Sequence, residues 1–453
     1  MIEISSLEAD LTRLPLRRRC GGVISADGSA ITIAGFGALA RLGDRIKLGP
    51  STEAPGAEGE IIALGPNGAR AMIYGAVKGI ALHDPVWLMP ERPLRPCDGW
   101  IGRVVDAFGS ALDGKPLAQG ERPAMLHNTP PAAAERAGLG PRLATGLTVL
   151  DTLLPLVRGQ RIGLFAGSGV GKSSLLTDLA RGVEADLVVF ALIGERGREL
   201  NEFITHGLGP EGMRRAVLVV ATSDESPLIK RRAAWTAMAI AEHFRDSGRH
   251  VLLLVDSLTR FAEAHREVAL TAGETPSLRA YPPSTANLIA GLTERAGPGS
   301  AAGKDGEITG VFSVLVAGSD MEEPVADITR GVLDGHVVLD RKIAERGRFP
   351  AIDIGRSVSR SLPRAASDVE NQTIAETRRL LGTYEAAEPM IQTGLYKPGI
   401  DSELDRAVRL YPEIDRFCAE KSPEGVAASF QHLTGILGDA QSAEADPPDG
   451  KDS

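Results

Sequence analysis

An α/β fold is predicted, with a mostly parallel sheet at its centre, a small β-barrel before it and a helical domain after it. Three observations carry this. Solid apolar runs recur between about residues 145 and 340, each followed by a helical stretch, the signature of a parallel sheet covered on both faces. Short β-rich runs cut by Gly and Asp occupy residues 21–94. Beyond Pro363 the strand signals stop and helical spacing takes over. At 453 residues the chain has the length of about three domains. Its 43% hydrophobic and 24% charged content is that of an ordinary globular protein.

The first segment, residues 1–20, spaces Ile4, Leu7, Leu11 and Leu14 as one apolar face of a helix, followed by Arg17, Arg18 and Arg19. Such a helix either docks a partner or an anionic membrane surface or packs on its own domain. The barrel, residues 21–94, is read from Ile31–Ile33, Arg45–Leu48, Glu60–Ala63 and Ala71–Tyr74. Pro93 and Pro96 mark its end. The core domain, residues 95–365, holds the apolar runs Ile162–Ala166, Leu187–Ile193, Val217–Ala221, Val251–Val255 and Val311–Ala317. Helical spacing in Ile374–Leu381 and Leu404–Ala419 defines a C-terminal domain, residues 366–440. Residues 441–453, rich in Ala, Asp, Pro and Ser, are expected to be a disordered tail.

Fifty Lys and Arg against 59 Asp and Glu give a formal charge of -9, which argues against a surface built throughout to hold nucleic acid. No apolar run reaches the roughly 18 residues of a membrane span, and the start lacks the layout of a secretory signal. A cytoplasmic protein is expected. Cys20, Cys97 and Cys418 are too few and too scattered for a disulfide framework or a thiolate metal site, and all three are expected to be small buried side chains.

The stretch Ala166-Gly-Ser-Gly-Val-Gly-Lys-Ser173 fits the phosphate-loop pattern between an apolar strand and a helical stretch. Glycines let the backbone wrap phosphate oxygens with N–H groups inward, and the helix N-terminus adds its positive dipole end. Gly167, Ser168, Gly169, Val170, Gly171, Lys172, Ser173 and Ser174 are therefore candidate nucleotide-binding residues. Lys172 would reach the β- and γ-phosphates, and the Ser173 hydroxyl would sit on Mg²⁺. Asp256, closing the run Val251–Val255, is the second candidate metal residue. Glu195, after the run Leu187–Ile193, belongs on the same rim of the sheet, where a carboxylate can polarise a water for attack on phosphorus. The alternative is a solvated glutamate. No Asn-Lys-x-Asp segment occurs, which disfavours a GTPase of the common type.

These stretches, with Gly194-Glu-Arg-Gly-Arg-Glu199 and Pro350-Ala-Ile-Asp-Ile-Gly-Arg-Ser-Val-Ser359, resemble the catalytic subunits of the rotary ATP synthase superfamily. Within it, Met321–Asp327 and Leu333–His336 resemble the type III protein-export ATPases, and the similarity runs from about residue 20 to residue 425. The flagellar branch is expected ahead of the virulence-secretion branch. The resemblance implies a RecA-like phosphate-loop core, ATP as substrate and Mg²⁺ as cofactor. It makes Glu195 the catalytic glutamate, with the adjoining Arg196 a further catalytic candidate. Arg360 corresponds to an arginine finger placed in a neighbouring subunit's site, the alternative being a surface salt bridge. Phe349 falls where related subunits stack an aromatic on adenine, the alternative being core packing.

Also implied are a homohexamer, a stator-like regulatory partner at the N-terminal helix, and a stalk protein, export chaperones and export substrates at the C-terminal domain. Peripheral association with the inner-membrane export gate follows from the same likeness. The acidic run that synthase subunits turn toward their stalk is replaced here by Gly394–Asp405, which favours the export branch. Two other classes compete. A non-catalytic nucleotide-binding subunit would lack Glu195. A Rho-like RNA translocase would need stacked aromatics and basic residues along a strand path, whereas aromatics make up 4% of the chain and the balance is acidic.

Overall fold

The computed structural model describes residues 20–442 apart from residues 54, 76, 302–304, 317–319 and 423. The N-terminal helix expected over residues 1–20 lies outside these residues but for Cys20, as does the tail from residue 443 onward. The chain forms two compact units. One contains the barrel with Asp224–Arg232 and Glu263–Thr285; the other is Leu94–Ser223, Ala233–Ala262 and the chain from Ala286.

Six strands close the barrel: β1 (Cys20–Asp27), β2 (Ala30–Ala34), β3 (Arg45–Leu48), β4 (Glu58–Gly65), β5 (Gly68–Ile73) and β6 (Pro85–Met89), in the order β1-β2-β5-β4-β3-β6. Antiparallel pairing of Cys20 with Trp87 and of Gly22 with Pro85 shuts the cylinder. Val23, Ile31, Ile33, Ile46, Ile61, Ala71 and Val86 fill its interior. Closure removes the two edges that an open sheet would leave unpaired. On β1 only Val23 is buried, so the expectation of three buried cysteines fails at Cys20, and it is met in full only at Cys418. Cys20 is exposed, Cys97 is half-buried and Cys418 is buried.

The second unit is built on a nine-stranded sheet: β7 (Val104–Asp106), β8 (Arg161–Ala166), β9 (Leu187–Glu195), β10 (Ala216–Thr222), β11 (Val251–Asp256), β12 (Gly297–Pro298), β13 (Glu307–Leu315), β14 (Gly335–Leu339) and β15 (Ile352–Ser359). The order is β15-β14-β8-β13-β11-β9-β10-β7, with β12 beside β13. From β14 to β7 all neighbours are parallel; β15 and β12 run antiparallel to theirs. The middle strands are apolar on both faces: every residue of β11 is buried, as are the first seven of β9. The chain leaves β8 and returns at β9, crossing over β13 and β11. That leaves a crevice at the carboxyl ends of the strands, where ligands of open α/β sheets bind.

Three helices follow: Asp368–Gln392, Ser402–Phe417 and Val426–Ser442. The last takes in the first two residues, 441 and 442, of the expected tail. A capping box between Ser367 and Glu370 starts the first helix. Ile374, Leu380, Leu410, Ile414, Phe417 and Leu433 belong to the same apolar cluster as Leu164 of β8 and Leu175 of the helix behind the phosphate loop. Tyr384 and Tyr411 stack with centroids 3.6 Å apart and planes 10° from parallel. No described helix is long and apolar enough to cross a membrane.

Candidate active site

The strand β8 ends at Ala166, and the helix Lys172–Gly182 begins directly after the glycine-rich loop. Leu175, Leu176, Leu179 and Ala180 anchor the helix in the core. No side chain caps its start, so its first N–H groups remain available to an anion. Gly171, just before the helix, has φ +88°, and a Cβ there would lie 3.0 Å from Cδ1 of Phe349. Only glycine combines that left-handed turn with so close a ring.

Lys172, at the head of this helix, turns its ammonium onto Oδ1 of Asp256, and its Nζ is 3.9 Å from Oε1 of Glu195. The Ser313 hydroxyl donates to the same Asp256 oxygen at 2.7 Å. Strand register produces this meeting. Asp256 ends β11 opposite Leu192 of β9, so β9 carries Glu195 three residues further along the rim. At Gly194 the chain turns with φ +75°, and the Cβ, Cγ and Cδ of Arg260 cover it, within 3.4 Å of where a Cβ would stand. The Ser223 N–H then holds the Glu195 carbonyl at 2.9 Å.

The Asp256 side chain is 4% exposed, that of Lys172 11% and that of Glu195 27%. Burial pushes the Glu195 carboxyl above the usual glutamate range; the Asp256 charge adds to the shift and Lys172 opposes it. A partly desolvated carboxylate held beside a cation at a strand tip is the environment of a general base.

The remaining candidates fall into three groups. Ser173 and Ser174 lie in the first turn of the phosphate-loop helix. Phe349 is 49% exposed, which sets aside core packing and leaves its ring beside Gly171. Arg360 and Arg196 are not brought to the cluster of their own chain. Strand β15 runs back from Ile352, opposite Leu339, to Ser359, opposite Gly335. Arg360 therefore leaves the sheet about 13 Å behind the level of the phosphate loop, where its Nη1 donates to the Leu333 carbonyl at 3.1 Å. Arg196 heads the helix Gly197–Glu202, and its 79%-exposed side chain pairs with Glu199 at 3.2 Å.

Three further residues belong to the site and carry no sequence signal of their own: Ser313, Arg260 over Gly194, and Arg341, whose Nη2 donates to the Ser168 carbonyl at 3.3 Å. Among the described residues no group of three or more His, Cys, Asp or Glu converges to hold a metal. The candidate donors are the hydroxyl of Ser173, in the first turn of the loop's helix, and the buried carboxylate of Asp256. So small a set suits Mg²⁺, which keeps several waters and takes phosphate oxygens.

Comparison with known proteins identifies the family. Residues 146–359 match the nucleotide-binding domain of the ATP synthase alpha/beta family, and residues 366–432 match the T3SS EscN ATPase C-terminal domain. A flagellum-specific ATP synthase of Caulobacter vibrioides is 42% identical over 97% of this chain and 99% of its own. Among solved structures, the assembled ATPase EscN of the enteropathogenic E. coli type III secretion system superposes with TM-score 0.85 at 35% identity, covering 92% of this chain and all of that one. EscN in complex with its central stalk EscO gives TM-score 0.81 at 36% identity over the same shares. With a phosphate loop, Asp256 and Glu195 on one rim and likeness along nearly its whole length, the chain belongs to the flagellum-specific ATP synthase and type III secretion ATPase branch of the ATP synthase alpha/beta family.

Proposed function

We propose that this protein hydrolyses Mg²⁺-bound ATP as the motor of a flagellar protein-export apparatus. The observation that carries the reading is the convergence of Lys172, Asp256 and Glu195 at the tips of neighbouring strands. The loop amides and Lys172 hold the phosphates, releasing Asp256 from its ion pair. Ser173 and Asp256 hold Mg²⁺, which when bound neutralises charge on the β- and γ-phosphates. Glu195 orients the attacking water and takes its proton. The half-exposed Phe349 ring offers the base a flat apolar partner beside Gly171.

Arg360 serves a different site. Its place behind its own phosphate loop fits a guanidinium delivered to the neighbouring subunit, so that hydrolysis depends on subunit contact. Identical chains bearing both halves of the site form a closed ring, here a homohexamer. EscN has been solved assembled and with its stalk EscO, and by that likeness the C-terminal helices of this chain meet a stalk protein, export chaperones and export substrates. A stator-like partner at the N-terminal segment would hold the ring at the cytoplasmic face of the export gate. The flagellar assignment follows the names of its relatives.

Mixing subunits tests the catalytic reading. Lys172→Ala and Arg360→Ala chains, each inactive alone, are expected to regain phosphate release when combined, because some interfaces then pair an intact loop with an intact finger. Mixed rings no more active than either parent would refute the trans arrangement. Wild-type chain that releases no phosphate from Mg-ATP at any protein concentration would refute the enzymatic assignment.

A further inference from the structure

Ser313 lies on β13, between β8, which feeds the phosphate loop, and β11, which ends in Asp256. The pairing of Val255 with Phe312 brings Asp256 and Ser313 side by side at the next step of the two strands. The Ser313 side chain is fully buried, and its hydroxyl donates to Oδ1 of Asp256 at 2.7 Å. That oxygen is also the one that Lys172 engages.

We propose that Ser313 is the positioning residue of the metal-holding carboxylate, keeping Asp256 in one orientation when Lys172 leaves it for phosphate. The proposal rests on the Mg-ATP reading of this site. The pair of donors explains why one of them is a hydroxyl. An ammonium on Oδ1 both orients and neutralises the carboxylate, and it is lost when nucleotide binds. A neutral hydroxyl fixed by a central strand orients Asp256 without cancelling the charge that the metal needs. Once Lys172 has moved, an alanine at 313 would leave Oδ1 with neither donor and the carboxylate free to turn about its χ2, a broad torsion. A threonine presents the same hydroxyl and suits a strand.

The test titrates the full chain with a ribose-labelled fluorescent ATP, in EDTA and across a Mg²⁺ series. Ser313→Ala is expected to raise the Mg²⁺ concentration for half-maximal tightening about ten-fold or more, to change the EDTA affinity by much less than that, and to be rescued by Ser313→Thr. Should the alanine chain fail to fold by circular dichroism, Ser313→Cys, a weaker donor of similar size, is expected to shift the Mg²⁺ midpoint several-fold while the threonine chain does not. An unchanged midpoint in the alanine chain, or in the cysteine chain where it replaces it, refutes the inference. So does an equal loss of affinity with and without Mg²⁺, which marks a purely structural role. Wild-type chain that binds no nucleotide removes the site reading and this inference together, whereas wild-type binding tightened by Mg²⁺ and untouched by Ser313→Ala removes the inference alone.

Discussion

Lys172 and Asp256 are bonded to each other across the mouth of the phosphate loop, in a pocket where the carboxylate is 4% exposed. The ammonium that is to hold phosphate is already satisfied by a carboxylate, so nucleotide must displace Asp256 before it gains Lys172. Asp256 also sets a buried negative charge next to the place of a polyanion, where low dielectric makes repulsion strong.

Asp256→Asn should therefore affect binding and hydrolysis in opposite directions. In EDTA the variant is expected to bind ATP several-fold more tightly than wild type, because Lys172 is released and the repulsion removed. Hydrolysis of Mg-ATP is expected to fall about 100-fold or more, since the metal loses its carboxylate. Fluorescence titration and phosphate release read the two arms. Weaker binding in EDTA would show that the ion pair prepares the loop rather than competing for it.

Glu195 gives a pH signature. Its carboxyl is raised above the ordinary glutamate range by burial first and by the Asp256 charge second, and a general base must be ionised to act. Acidification should thus abolish kcat/KM through an apparent pKa above that of an ordinary glutamate, activity being present on the alkaline side and lost on the acid side. Glu195→Gln should remove that limb and lower kcat by about 10²–10⁴. An acid limb that survives in the glutamine variant would belong to another group.

The parts of this site that were legible in the sequence are those fixed by local chemistry. Continuous apolar runs gave β8, β9 and β11, and a glycine-rich turn or an acidic residue after each run placed Lys172, Glu195 and Asp256 at strand ends. Ser313 was not legible because its partner is chosen by strand order: β13 lies between β8 and β11 although it follows both in sequence. The barrel strands β1 and β6 carry little sequence signal, since Gly21, Gly22 and Pro85 weaken the local β pattern while ring closure supplies their pairing. Arg196 looked catalytic by adjacency to Glu195. A helix that starts at Gly197 instead turns it toward Glu199.

Phe349 should act on nucleotide affinity rather than on chemistry. Its ring stands against the phosphate loop and remains half-exposed, and a stacked base is worth about 1–3 kcal/mol by alanine substitution. Phe349→Ala is expected to raise KM for ATP about ten-fold with kcat changed less than two- to three-fold, and Phe349→Trp to hold KM near wild type. Since a ring face reads no base edge, the ratio of ATP to GTP use should change little in either variant. Steady-state kinetics with both nucleotides decides this, and a kcat loss exceeding the KM change would place Phe349 in the catalytic step.

The second unit also contains a buried ion pair remote from the loop. Arg295 meets Glu242 through Nε at 3.0 Å and Nη2 at 2.7 Å, and the two side chains are 3% and 4% exposed. The same guanidinium donates to the Leu126 carbonyl at 2.8 Å, and the Arg295 carbonyl accepts from Arg245 at 3.1 Å. Truncating one member leaves the other charge buried without its partner, a loss of about 3–5 kcal/mol, whereas replacing both with apolar residues of similar volume is often neutral. Arg295→Ala is therefore expected to lower the denaturant midpoint sharply, and Arg295→Met with Glu242→Leu to recover much of it. The cycle is read by chemical unfolding at fixed pH, followed by tryptophan fluorescence. If the double variant is no more stable than Arg295→Ala, the hydrogen bond from Arg295 to the Leu126 carbonyl, and not the pairing of charges, holds this part of the unit together.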